Sequence, residues 1–234
     1  MDYSPLWISL RTAIAATVFS VAIGLAAAHY TVRLGKTLKG LVDGLLTLPI
    51  ILPPTVVGCF LLLFFGVNGP AGRLVQALFH ERVVFSWYAP IIASTVVAFP
   101  LFYRTMRGAF EEFDRTLIHS GQTLGLSNAF IFWRVILPNC RPSFIAGTVL
   151  TFARALGEFG ATMMLAGNIP GRTATISIAV YSAMAAGNDA LARRWVLIDL
   201  AISFGAMLIM NFTGGGLRRR GAGSGERRTP WLSK

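Results

Sequence analysis

The sequence predicts an all-helical protein that crosses a membrane about five times, with its N-terminus outside and its C-terminus in the cytoplasm. Of its 234 residues, 54% are hydrophobic and only 13% are charged, whereas about a quarter of the residues of a soluble domain carry a charge. The mean hydropathy is +0.62. Long apolar runs separate the charged residues, and about 20 helical residues span the ~30 Å hydrocarbon core of a bilayer. This pattern excludes an ordinary soluble protein.

Five apolar runs are long enough to be transmembrane helices. Each is bounded by Gly, Pro, Asn or charged residues. They cover residues 6–30, 45–66, 88–106, 144–166 and 195–212. An odd number of spans places the two termini on opposite sides of the membrane.

The distribution of basic residues predicts the orientation, because short loops rich in Lys and Arg stay in the cytoplasm. Of the 21 Lys and Arg residues, 14 lie at the end of the first, third or fifth run or follow it, five lie on the other face, and Arg11 and Arg154 lie deeper within runs. A competing interpretation treats residues 1–28 as a cleaved signal peptide. It would leave the basic residues after the first run outside, so the uncleaved chain fits better.

Residues 1–213 are predicted to form the membrane domain, and residues 214–234 a basic cytoplasmic tail. The tail is rich in Gly, Arg and Ser and lacks the apolar residues needed to fold, so we expect it to be disordered and to touch anionic lipid headgroups rather than nucleic acid. Cys59 and Cys140 are predicted at different depths, which excludes a disulfide between them.

No catalytic or cofactor chemistry is indicated by the sequence. The chain has no phosphate-binding GxxxxGK[ST] loop, no Ser/His/acid constellation, and no His, Cys or Asp cluster with metal-ligand spacing. We expect a non-catalytic subunit that binds no metal and no cofactor.

The connection over residues 107–141 has a helical pattern with large apolar residues, but polar residues interrupt it too often for it to cross a bilayer. Its apolar groups therefore need a protein surface to cover them. Gly125 is placed to break the chain in a left-handed conformation between two short helices. Pro138 then restarts the direction toward the membrane.

The residues of this connection resemble the cytoplasmic loop motif of ABC importer permeases. His119, Ser120 and Gly121 stand at its first positions, Gly125 follows after three residues, and Ile136, Leu137 and Pro138 close it. The strings LPIILPPTVVG (48–58) and FARALGEFGATMMLAGNIPGRTATISIAVY (152–181), with the five-span layout, are similar to permease subunits of molybdate ABC transporters. The similarity runs over residues 6–212. An acidic residue is usual where His119 stands.

The resemblance implies the type I importer permease fold, with the loop docking as a coupling helix in a groove of a separate ATPase. Its contact residues would be His119, Ser120, Gly121, Leu124, Gly125, Ile136, Leu137 and Pro138.

The implied assembly is a multi-pass homodimer in the inner (plasma) membrane. Two cytoplasmic ABC ATPases, which bind ATP and Mg, and an extracytoplasmic oxyanion-binding protein complete it. Molybdate would cross by alternating access. The alternatives are a permease for tungstate, sulfate or thiosulfate, an anion channel or carrier that needs no ATP, and a membrane scaffold.

Two sets of residues are candidates for the translocation path or its gate. Pro53, Pro54 and Thr55 interrupt the second run, and irregular backbone at membrane depth survives only in a protein interior or along a cavity. The alternative is a packing kink.

Arg154, Glu158 and Thr162 recur at every fourth position of the fourth run, which predicts one helical face and an Arg154–Glu158 ion pair. They would meet the oxyanion or, alternatively, only fix helix packing. A short re-entrant or surface helix is expected within residues 167–192.

Overall fold

The computed structural model describes residues 2–221, with side chains to residue 208, and these residues form helices and connecting turns without a β-strand. Twelve α-helices and one π-helical turn follow in chain order. They are α1 (Ser4–Thr31), α2 (Lys36–Ile51), α3 (Pro54–Phe65), α4 (Pro70–Phe79), α5 (Ala89–Glu111), α6 (Arg115–Thr123), α7 (Asn128–Ile131), the π-turn (Phe132–Ile136), α8 (Leu137–Asn139), α9 (Arg141–Leu156), α10 (Gly160–Ala166), α11 (Ile176–Ala185) and α12 (Asp189–Gly221).

Proline marks where many of these helices begin. It occupies the first or second helical position of α1, α3, α4, α5, α8 and α9. The first backbone N–H groups of a helix have no partner within it, so a residue without an N–H loses nothing there, and its fixed φ suits the helix. The prolines of the sequence therefore act mostly as helix starts.

The core is built where α1, α5 and α9 pack together. Its middle consists mainly of alanines, whose small side chains let the three helices approach closely as in other membrane bundles. This buried cluster comprises Ala13, Ala16, Ala98, Ala155 and Leu156. A second buried cluster, with larger side chains, comprises Ala28, Phe102, Tyr103, Met106 and Cys140.

Two of the predicted spans are not continuous helices. Among the residues described with side chains, α1 and α5 are each long and apolar enough to cross a membrane alone, and α2 with α3 and α9 with α10 reach that length as pairs bent by 111° and 57°. The second run was predicted to be interrupted by prolines, and the break between α2 and α3 confirms this. The fourth run was predicted as one continuous helix, which is wrong because α9 ends at Leu156 and α10 begins at Gly160. The total of five spans and the orientation of the termini stay predictions.

The last predicted span lies within α12, a helix of 33 residues that is about 50 Å long. The helix continues through Gly221 and so includes the first part of the predicted tail; residues 222–234 lie outside the described residues. The short helix expected within residues 167–192 is α11, and its first N–H, on Ile176, donates to Ser9 Oγ of α1 at 2.7 Å. Cys59 and Cys140 are both free, as predicted.

Candidate functional site

The segment over residues 107–141 folds into two short helices joined by a tight turn. The Asp114 carboxylate caps the N-terminus of α6 by accepting a hydrogen bond from Thr116 N–H at 2.8 Å. Ser127 Oγ caps α7 in the same way by accepting from Phe130 N–H at 3.2 Å. Between them Gly125 has φ +75°, a conformation that side chains with a Cβ rarely adopt. The predicted left-handed break at Gly125 is confirmed.

The two short helices pack against each other at Gly121. A Cβ atom at Gly121 would lie 3.1 Å from two side-chain carbons of Ile131, which is almost fully buried. A side chain at this position would require Ile131 to move by a few tenths of an ångström, so Gly121 favours the close approach of α6 to α7.

A π-helical turn connects this hairpin to the next helix. It covers Phe132–Ile136 and ends two residues before Pro138. Because Pro138 has no N–H to donate, the helical ladder cannot pass regularly through this point. The Asn139 side-chain amide donates to the Val135 carbonyl at 2.7 Å. Ile136, Leu137 and Pro138 therefore form an irregular but hydrogen-bonded corner.

The outer surface of the hairpin is apolar and uncovered. Leu124 is 78% exposed, and Leu117 and Phe130 are each 47% exposed. We call these three residues the apolar knob. His119 and Ser120 are exposed beside it, and His119 Nδ1 lies 3.3 Å from Gln122 Oε1. Hydrogen bonds from the Thr116 hydroxyl and N–H hold the pKa of Asp114 below its usual value, so the capping carboxylate is ionised at neutral pH.

The breaks in the two bent helix pairs lie against each other. A Cβ at Gly160, the first residue of α10, would be 3.0 Å from Pro54 Cβ and 3.1 Å from Thr55 N. One turn farther along α3, a Cβ at Gly58 would be 2.8 Å from Ala161 Cα. The start of α3 thus packs on the start of α10 through two glycines. The sequence predicted the interruption of the second run, but not this contact.

The predicted path residues differ in exposure. Pro53, Pro54 and Thr55 are exposed at the break, and Thr55 and Cys59 line an open groove on α3. In contrast, Thr162 is fully buried, and among the described residues its hydroxyl has no hydrogen-bond partner. The first set is accessible in a single copy of the chain, and Thr162 is not.

Arg154 and Glu158 form the predicted ion pair, with Arg154 Nη1 2.7 Å from Glu158 Oε2. The expected single helical face is wrong, because α9 ends at Leu156 and α10 begins at Gly160, which leaves Glu158 in the break. Its other oxygen, Oε1, accepts from Ala161 N–H at 2.8 Å. Glu158 is therefore a buried cap of α10 that is paired to the last turn of α9, a geometry that fits the structural alternative.

The family model for "Binding-protein-dependent transport system inner membrane component" matches residues 20–218. The chain belongs to this family. It is therefore a multi-pass membrane protein and a non-catalytic permease subunit.

Relatives with curated names are similar over most of the chain. It is 38% identical to the "Putative molybdenum transport system permease protein YvgM" of Bacillus subtilis over 86% of this chain and 89% of that one. It is 38% identical to the molybdenum transport system permease protein ModB of Escherichia coli K12 over 89% and 91%. The sulfate transport system permease protein CysT of Salmonella typhimurium is 34% identical over 74% of this chain and 62% of that one.

Solved structures share the fold. An inward-facing structure of the MetNI methionine ABC transporter superposes with a TM-score of 0.69, covering 92% of this chain and 94% of that one at 17% identity. The predicted fold, that of ABC importer permeases, is confirmed.

Sequence reasoning missed an ion cluster between α2 and α5 of the permease. Arg107 lies 3.1 Å from both Asp43 and Glu111, and Lys39 also pairs with Glu111. The sequence does contain a pattern that could have predicted the cluster. It has two opposite-charge pairs at i,i+4 spacing, Lys39 with Asp43 and Arg107 with Glu111. The cluster fastens α2 to the end of α5, next to the start of the hairpin.

Proposed function

We propose that this chain is the membrane-spanning subunit of an ATP-driven importer for molybdate in the inner (plasma) membrane. The observation that carries the proposal is the apolar knob, three apolar side chains held outside on a folded hairpin. Leu124, Leu117 and Phe130 are 78%, 47% and 47% exposed on one folded hairpin, and a docking partner would cover such a group of apolar side chains. The substrate follows the names of the relatives YvgM and ModB.

The assembly would be a homodimer with two ABC ATPases below it and an extracytoplasmic oxyanion-binding protein above it. The ATPases bind ATP and Mg, and this chain binds no cofactor. Five spans per copy enclose too little space for a path, and Pro53, Pro54 and Thr55 are exposed on a single copy. A second copy facing them would close the path.

In this mechanism the ATPase binds the hairpin. The knob residue Leu124 enters its groove, His119 and Ser120 contact the rim, and Gly121 and Gly125 keep the hairpin rigid. Ile136, Leu137 and Pro138 transmit the movement to α9. Because Arg154 and Glu158 tie α9 to α10, and Gly160 packs on Pro54, the movement reaches the break in α3. The outer gate would open at this break, where Thr55 is exposed to the anion. Thr162 would become exposed only if α10 moves.

The experiment is uptake of radiolabelled molybdate into vesicles that contain the full complex, with loaded binding protein outside and ATP inside. Excess sulfate or tungstate is the competitor. We expect uptake that needs ATP and the ATPase, resists sulfate and is reduced by tungstate, which resembles molybdate in size and charge.

Sulfate import is the second candidate, because CysT is 34% identical. Strong competition by sulfate, or by thiosulfate, would indicate that the chain is a sulfate or thiosulfate permease. Uptake in vesicles that lack the ATPase would overturn the importer and indicate a channel or carrier.

A further inference from the structure

A basic cavity lies between the end of α1 and the hairpin. It has a volume of about 540 Å³ and is bounded by the turn after α1, the end of α5, and α6 and α7. Its polar lining consists of His29, Arg33, Arg115, His119, Gln122 and Asn128. Among the side chains that the structure describes, no Asp or Glu lines it. The nearby Asp114 carboxylate caps α6 by accepting from Thr116 N–H. The cavity therefore presents donors and positive charge without a carboxylate to neutralise them.

An apolar groove continues from this cavity along α1. The groove has a volume of about 510 Å³ and shares His29, Arg33 and Asn128 with the basic cavity, so the two spaces adjoin. Ala22, Leu25 and Ala26 form its wall on α1. Phe132 and Trp133 form the opposite wall.

The dimensions of the groove match an extended hydrocarbon chain. From Ala22 to the end of α1 at Thr31, the helix rises by about 14 Å, which is about half the thickness of the hydrocarbon core. Tyr30 and Trp133, which are 67% and 60% exposed, line the groove. Aromatic rings of this kind prefer the level of the lipid headgroups.

We propose that the cavity and groove together bind one anionic phospholipid. Its phosphate lies between Arg33 and Arg115, and one acyl chain lies along Ala22 and Ala26. A zwitterionic lipid fits less well, because its ammonium group would face arginines and find no carboxylate in the cavity. The proposal rests on the proposed function, in which cytoplasmic ATPases bind the hairpin. The end of α1 lies beside the hairpin and is then at the cytoplasmic surface, where anionic headgroups attract basic residues.

A bound lipid would connect two parts of the permease that move relative to each other in the proposed mechanism. Arg33 belongs to the turn after α1, and Arg115 and His119 belong to α6 of the hairpin. One phosphate held by both sides acts as a strut between the membrane core and the coupling element. Anionic lipid would therefore hold the hairpin in place for the ATPase.

The test measures lipid binding to the purified full complex by native mass spectrometry. The probes are palmitoyl-oleoyl phosphatidylglycerol and the phosphatidylcholine with the same chains. We expect selective retention of phosphatidylglycerol. The double variant Arg33→Gln/Arg115→Gln should bind it roughly 25-fold more weakly, because each basic residue near an anionic headgroup contributes about fivefold. The matched control is Arg104→Gln/Arg134→Gln, which removes two exposed arginines outside the cavity and groove.

A second variant tests the groove without changing charge. Ala26→Trp fills the apolar wall and should weaken retention, whereas Ile23→Trp, at an exposed position outside the groove, should not. Equal retention of the two lipids, or equal loss in the charge variant and its control, overturns the proposal. Displacement of phosphatidylglycerol by millimolar free phosphate or molybdate would also overturn it and assign the cavity to a soluble anion. Lipid binding is read without ATP or transport, so failure of molybdate uptake leaves this result standing.

Discussion

Replacing Gly125 with valine tests the coupling hairpin through backbone strain alone. Gly125 has φ +75°, and a Cβ built there meets no atom within 4 Å, so the substitution causes no clash in the folded chain. Holding a β-branched residue in the left-handed region costs about 1–3 kcal/mol. The turn escapes this strain by changing conformation, which separates α6 from α7 and misplaces Leu124. Affinity for the ATPase should fall by about 5- to 150-fold at these energies.

The assay is co-purification of the ATPase with the permease, together with ATP-dependent molybdate uptake, after membrane insertion has been checked. Gly125→Asn should retain most of both activities, because Asn tolerates the left-handed conformation. Gly108→Val is the matched control, since Gly108 also has open space around it but lies inside α5 with an ordinary φ. If Gly125→Val and Gly125→Asn behave alike, the reasoning from backbone strain is refuted.

Three further substitutions test other contacts. Leu124→Asp should leave the melting temperature unchanged, because the side chain is 78% exposed, yet reduce ATPase co-purification by about tenfold or more; unchanged co-purification would remove Leu124 from the interface. Gly58→Val should destabilise the detergent-solubilised protein by about 1–3 kcal/mol, since its Cβ would lie 2.8 Å from Ala161 Cα, whereas Gly40→Val, with no neighbour within 4 Å, should not. Glu158→Ala should lower the melting temperature more than Glu158→Gln, which keeps an acceptor for the Ala161 N–H; the reverse order would contradict the capping role.

The sequence alone predicted the structural features whose cause lies in residues close together along the chain. The turn at Gly125 was predictable because the glycine separates two short amphipathic segments, and Pro138 marks the next corner by its missing N–H. The Arg154–Glu158 pair was predictable from its spacing, because the pair spans only one turn. None of these features needs a distant part of the chain.

The break after α9 was not predictable in this way. Residues 144–166 were predicted as one apolar helix, and Arg154, Glu158 and Thr162 share a face only if that helix is continuous. At this break α10 packs on α3 through Gly160 and Gly58, a contact between residues about 100 positions apart that local sequence patterns do not show. The ion cluster around Arg107 was missed for the same reason, since its assembly depends on α2 lying beside α5.

The first backbone N–H groups of α3 and of α10 are accommodated in different ways at the two breaks. A helix that starts at membrane depth exposes backbone N–H groups that lipid cannot satisfy. At α3 the sequence removes a donor by placing Pro54 first, and the N–H groups of Val56 and Val57 donate to the Pro53 carbonyl at 2.9 and 3.1 Å. At α10 it supplies an acceptor instead, the Glu158 carboxylate, whose charge is balanced by Arg154. Because the backbone of α10 already engages Glu158, the exposed Thr55 is the better candidate for contact with a passing anion.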